Sequence, residues 1–231
     1  MSLTMEAWAA HLAWVDPWLL PAWTAWGIGF SWLECVACTL SLAMVACNLR
    51  VHPAGWPLAM VSSLLYGLLF ARSRLYGEAA LQLVFIAMSA WGWQQWRHGR
   101  LSADGANAPL YVRSMTPRAR WVTLACLLLL WPAAGALLAS ATDSDVPIWD
   151  ALPTVGSLIG QWLLGRKHVE NWPCWLAVNL VSMALFAHKQ LWLTVWVYAV
   201  FAVLSAWGWR VWWAQAQRAS MGLRVGVMPW N

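Results

Sequence analysis

Charge is what this chain has least of. Asp, Glu, Lys and Arg make up 10% of its 231 residues, against about 25% in a soluble domain. Apolar residues make up 61%, so a soluble globular fold is excluded and an all-α integral membrane protein is expected. Catalytic signatures are absent too. The chain has no HExxH pair, GxSxG elbow or Walker loop, which leaves no enzyme reading on motif grounds. Its five histidines (His11, His52, His98, His168 and His188) fall in loops or at the ends of apolar runs. No Lys or Arg lies inside an apolar run, and only Glu34 and Asp150 keep ion coupling open. Cys35, Cys38, Cys47, Cys126 and Cys174 fall within apolar runs. Cys35-x-x-Cys38 has no histidine near it, so buried free thiols are expected, with no metal and no cofactor. The early apolar run has no basic n-region and is interrupted by Asp16, Pro17 and Pro21. A cleavable signal peptide is therefore not expected. The net charge of +5 does not point to nucleic acid, because the basic residues sit in short loops between apolar runs.

What the chain does have is a duplication. Residues 56–96 align without a gap on residues 172–212, an offset of 116 (172 minus 56), and 15 of the 41 positions are identical. Trp56-Pro57 meets Trp172-Pro173, and Ser89-Ala90-Trp91-Gly92-Trp93 meets Ser205-Ala206-Trp207-Gly208-Trp209. The offset extends upstream, pairing Glu34 with Asp150, Ser41 with Ser157 and Arg50 with Arg166. A long internal repeat in an apolar chain is a feature of transporters whose halves rock about a central site.

Apolar runs place seven transmembrane helices over 30–49, 56–71, 75–96, 121–141, 149–165, 172–187 and 191–213. The second and sixth are short against the ~20 residues a span usually needs. Residues 1–25 form an expected interfacial helix, 26–97 a three-helix bundle, 98–147 a cytoplasmic linker with a linker helix, 148–213 a second bundle and 214–231 a tail. This is a 3+1+3 arrangement. Alternate loops carry 11 of the 14 basic residues, so the positive-inside rule puts the C-terminus in the cytoplasm and the N-terminus outside.

Polar residues recur at helical spacing on several spans. Span one has Glu34, Cys38, Ser41 and Asn48; span five has Asp150, Thr154, Ser157 and Gln161. Span three carries Glu78, Gln82 and Ser89, span six Trp172, Trp175, Asn179 and Ser182 or Met183, and span seven Thr194, Tyr198 and Ser205. Steps of three, four and seven put each set on one helix side. Lipid offers these groups no partners, so they turn inward. Serines there commonly bond backbone or allow close packing. Glu34, Asp150 and Glu78 lie near span ends, where capping competes with a ligand role. Gln82, Gln161 and Asn179 are harder to dismiss, since a buried amide needs several partners. Tyr198 and Trp175 offer stacking surfaces for a flat ring. The tryptophans of the two Trp-Gly-Trp motifs read as interfacial anchors.

Arg166-Lys167-His168-Val169-Glu170-Asn171-Trp172-Pro173-Cys174-Trp175, followed by Asn179, resembles the RKxxENWxxWxxxN signature of the PnuC family of nicotinamide riboside transporters. Leu75-Tyr76 and Leu81-Gln82-Leu83-Val84-Phe85 are similar to that family's third helix. The resemblance covers about residues 26–213. It implies a trimeric carrier of the bacterial inner membrane with a SWEET-like fold, passing its vitamin down a gradient for trapping by a cytoplasmic kinase. It also implies a site of Trp172, Trp175 and Asn179, with Gln82 on the other bundle. Carriers proposed for thiamine, riboflavin and deoxynucleosides belong to the same family. Val61-Ser62-Ser63 departs from some nicotinamide riboside carriers, which have an Asn near the place of Ser63. A membrane binding or scaffold subunit is the alternative from another class.

Overall fold

A computed structural model describes residues 13–25, 28–72, 76–98, 100–101, 107–108, 111–141, 146–188 and 192–221. Among them lie seven α-helices: α1 (Trp32–Leu49), α2 (Gly55–Arg72), α3 (Tyr76–His98), α4 (Pro117–Ala141), α5 (Pro147–Gly165), α6 (Asn171–His188) and α7 (Trp192–Ser220). Each begins within four residues of its expected start, and α7 runs seven residues past its expected end. Pro57 and Pro173 fall in first turns, where no helical N–H bond is lost. Pro132 and Pro153 lie inside α4 and α5.

The N-terminal segment departs from expectation. Where an interfacial helix was expected, the described residues form a 3-10 turn, Ala13–Leu19, and an antiparallel hairpin of β1 (Pro21–Ala25) and β2 (Ile28–Ser31). Pro17 and Pro21 remove the amide hydrogens an α-helix needs, and Pro21 opens its strand, where a proline is tolerated. Arg72 ties this segment to the end of α2 through Asp16, with Nε and Nη2 2.6 and 2.7 Å from the two carboxylate oxygens. Ser31 then caps α1. Its hydroxyl accepts from the Glu34 N–H at 3.2 Å, while its own N–H donates to Glu34 Oε2 at 2.8 Å. Glu34 is thereby the acidic half of a capping box.

The chain divides into two compact units, Met1–Gln94 and Gln95–Asn231. In the first, α1 packs on α2, where Ser41 and Ser62 share a 2.7 Å hydrogen bond and Ser62 donates to the Ala37 carbonyl. In the second, α5 packs against both α4 and α6, and α6 packs on α7. Gly135 of α4 lets Ile148 approach, and the Trp131 indole N–H donates to the Ile148 carbonyl. Gly156 and Gly160 of α5 do the same for Val178 and Trp175 of α6, the small-xxx-small spacing that brings membrane helices close. A short pair, β3 (Arg100–Leu101) with β4 (Asn107–Ala108), precedes α4.

The duplication holds at the level of single hydrogen bonds. Arg50 and Arg166 cap their helices with φ/ψ of −89/5° and −89/2°. The next residues, Val51 and Lys167, have φ of 56° and 54°. His52 and His168 then donate to the Cys47 and Leu163 carbonyls at 2.8 and 3.0 Å, closing Schellman turns. After each turn a tryptophan enters a glycine notch. A Cβ on Gly92 would lie 2.3 Å from Trp56, and one on Gly208 would lie 2.4 Å from Trp172. Both indoles are buried. A β-branched residue in the left-handed region costs about 1–2 kcal/mol, so Val51→Gly is expected to raise thermal stability by about 1 kcal/mol, measured by unfolding in detergent.

Among the described residues, three helical segments are long and apolar enough to cross a membrane: Trp32–Leu49, Pro117–Ser140 and Thr194–Ser220. Their outer faces stay apolar. Leu129, Trp196 and Val203 expose 72%, 72% and 68% of their surface, which suits lipid rather than water.

Candidate functional site

The signature stretch from Arg166 to Trp172 proves to be a clamp on the segment before α4. Arg113 donates its N–H to the Lys167 carbonyl at 3.1 Å, and its own carbonyl accepts from the Val169 N–H at 3.0 Å. Two hydrogen bonds of this kind make a one-residue parallel β-bridge. The Met115 N–H donates to both Glu170 oxygens, at 3.0 and 3.1 Å. Arg120, in the first turn of α4, reaches Glu170 through Nε at 3.0 Å and Nη2 at 2.8 Å. Asn171 is fully buried and donates to the His168 carbonyl at 2.6 Å. The expected polar linker therefore ends in an anchored strand, with Val112 and Met115 buried. Glu170→Ala is expected to cost about 1–2 kcal/mol, read as a lower melting temperature. Glu170→Gln, which keeps an acceptor for Met115, should lose less.

Burial sets the electrostatics of this turn. It pushes the Lys167 ammonium down to about 8. The same ammonium sits 4.8 Å from the Trp96 ring centroid, a contact that favours the charged form and opposes the shift. His168 is held below the usual histidine range by burial and then by the nearby Arg113. Trp96 also donates its indole N–H to the Leu164 carbonyl at 3.2 Å and packs on Trp212 at 6.2 Å between centroids.

Asn179 is the polar centre of the α6–α7 contact. It is 5% exposed, and its Nδ2 donates to Ser205 Oγ at 3.2 Å. Ser205 in turn donates to the Phe201 carbonyl at 2.8 Å. Ser205, expected to bond backbone or to allow close packing, is also the acceptor for Asn179. Trp175, half-buried, lies against Gly160, with a Cβ there 3.1 Å from its Nε1. Gln161, the next residue of α5, is buried. Tyr198 packs on Phe186 at 5.2 Å and edge-on to Phe201 at 6.5 Å.

Trp172 and Gln82 complete the expected set. Trp172 is 3% exposed. Its ring fills the Gly208 notch and meets Trp212 edge-on at 5.6 Å. Gln82 belongs to the first unit, on α3, with its Cβ 3.4 Å from where a Gly67 Cβ would sit. At the repeat offset Gln82 corresponds to Tyr198, and Ser63 to Asn179. The two units thus present different side chains at matching places. Among the described carboxylates, Glu34 caps α1 and Glu170 clamps the linker, while Asp150 lies in the first turn of α5. The side chain of Glu78 lies outside the described residues. No cluster of metal-ligating side chains occurs among the described residues.

The family model described as nicotinamide mononucleotide transporter matches residues 31–214. The riboflavin/roseoflavin transporter RibM of Streptomyces davaonensis is 29% identical over 212 residues, covering 85% of this chain and 91% of its own. The nicotinamide riboside transporter PnuC of Escherichia coli is 22% identical over 210 residues, 81% of this chain and 87% of its own. The crystal structure of the vitamin B3 transporter PnuC superposes with a TM-score of 0.67 at 20% identity, covering 94% of this chain and 90% of that one. Those relatives are transporters, not enzymes. With the match spanning most of the chain, from the cap of α1 into α7, this protein belongs to the nicotinamide mononucleotide transporter family, the PnuC family of membrane transport proteins.

Proposed function

We propose that this protein is a facilitative carrier importing nicotinamide riboside across the bacterial inner membrane. The observation that carries the reading is Asn179. Its one hydrogen bond among the described residues goes to Ser205, which leaves its carbonyl oxygen and second amide hydrogen for a ligand. Asn179 and Gln161 take the carboxamide and ribose hydroxyls. Trp175 or Tyr198 stacks on the ring, where the positive pyridinium gains about 1–2 kcal/mol once desolvated. Trp172 supports the site from behind, because its own ring is packed against protein.

All seven helices span in this reading, in a 3+1+3 arrangement with the N-terminus outside and the C-terminus cytoplasmic. Transport is by alternating access, and cytoplasmic phosphorylation traps the product. A homotrimer follows from the family resemblance. Riboflavin is the second reading, favoured by the 29% identity with RibM. It joins a flat ring to a polyol and asks for the same kinds of contact.

Uptake into proteoliposomes, with nicotinamide riboside, riboflavin and thiamine compared, tests the proposal. Saturable flux of nicotinamide riboside alone is expected. Flux of riboflavin alone keeps the carrier and moves the substrate. Tight binding without any flux sinks the carrier reading and leaves a binding subunit.

A further inference from the structure

A groove of about 380 Å³ runs along the second unit, walled by Leu124 and Leu127 of α4, Leu152 and Ile159 of α5, and Ala177 and Val181 of α6. Arg120 and Glu170 stand at one end. From Glu170 to Val181, or from Leu163 back to Leu152, is eleven residues. At 1.5 Å each that is roughly 16 Å, about half of a ~30 Å hydrocarbon core. The groove therefore has the length of one leaflet, and its walls open outward, with Leu124 41% exposed. Its polar end holds the Arg120–Glu170 ion pair, with further arginines nearby. Arg120 spends two contacts on Glu170, yet its side chain stays 48% exposed. Arg113 and Arg166 act on the neighbouring His168 alongside the Glu170 carboxylate. His168, two residues before Glu170, thus feels two further guanidiniums close to this end. In the orientation proposed above, this end lies on the arginine-rich, cytoplasmic side, where the leaflet is anionic.

We propose that the groove binds one acyl chain of an anionic phospholipid of the cytoplasmic leaflet, with the phosphate on Arg120. Charge and length together favour a lipid over a second copy of this chain. A packed helix from another copy would need an apolar face across both leaflets and no cationic end. The assignment does not depend on which vitamin is carried.

Native mass spectrometry of the full-length protein with phosphatidylglycerol and phosphatidylcholine of identical chains tests it. Phosphatidylglycerol should bind at least about tenfold more tightly. Arg113→Gln, whose hydrogen bonds run through its backbone, should cut that preference about fivefold, the worth of one cation near an anionic surface. Ala177→Trp, which fills the groove from an exposed position, should lower phosphatidylglycerol binding tenfold or more while the melting temperature holds. Equal binding of the two lipids overturns the proposal. So does an Ala177→Trp protein that keeps its lipid but changes its oligomeric mass, since the groove would then belong to a second copy.

Discussion

Gly208→Ala is expected to destabilise the second unit by about 3 kcal/mol. The added Cβ would lie 2.4 Å from Trp172 Cδ2 and Cε3 and 2.5 Å from Cζ3, far inside van der Waals contact. The indole is rigid, 3% exposed and held edge-on by Trp212, so neither ring nor helix can yield cheaply. Overpacking costs about 1–3 kcal/mol and occasionally more, and a fused ring against backbone belongs at the upper end. The measurement is the yield of monodisperse protein in detergent with its melting temperature. A Gly208→Ala protein melting within about 2 °C of the parent would show the notch to be loose. Trp172→Leu in the Gly208→Ala background should recover part of the loss, giving a coupling energy of about 1–3 kcal/mol in a double-mutant cycle. Gly92→Ala should repeat the defect in the first unit, where Trp56 fills the matching notch.

Asn179→Ala is the second large effect, and it falls on binding. Nicotinamide riboside should bind at least about tenfold more weakly, since 1.4 kcal/mol is a factor of ten and a buried amide supplies that through one or two hydrogen bonds. Folding should survive, because Ser205 keeps its bond to the Phe201 carbonyl when Asn179 is removed. Ser205→Ala should do less, loosening the amide without deleting it. Calorimetry on the purified protein reads both. An unchanged dissociation constant for Asn179→Ala would remove that residue from the site. A fall in melting temperature equal to that of Gly208→Ala would make Asn179 a packing residue.

The helices were legible because apolar run length and turn residues are local properties. All seven lie where those runs put them, and the duplicated motifs mark equivalent turns in each half. The family was legible too, since a signature is a matter of order along the chain. The N-terminal hairpin was not. Alternating Trp and Ala suits either a helix or a strand, and the prolines decided against the helix. The partners of individual side chains were equally hidden. Glu34 meets a cap three residues away, a pattern open to inspection, but Glu170 meets Met115 and Arg120, 55 and 50 residues earlier.

By itself, then, the sequence determined a membrane transporter built on a repeat. Hydrophobic run length, the positions of Arg and the order of a motif need no third dimension. Only the tertiary structure decided what the motif's members do. Trp172 and Gly208 are one contact although 36 positions separate them, and Asn179 acquires its orientation from a serine on another helix. Such contacts depend on how two helices cross and at what depth, which is set by the summed packing of both faces rather than by either helix alone.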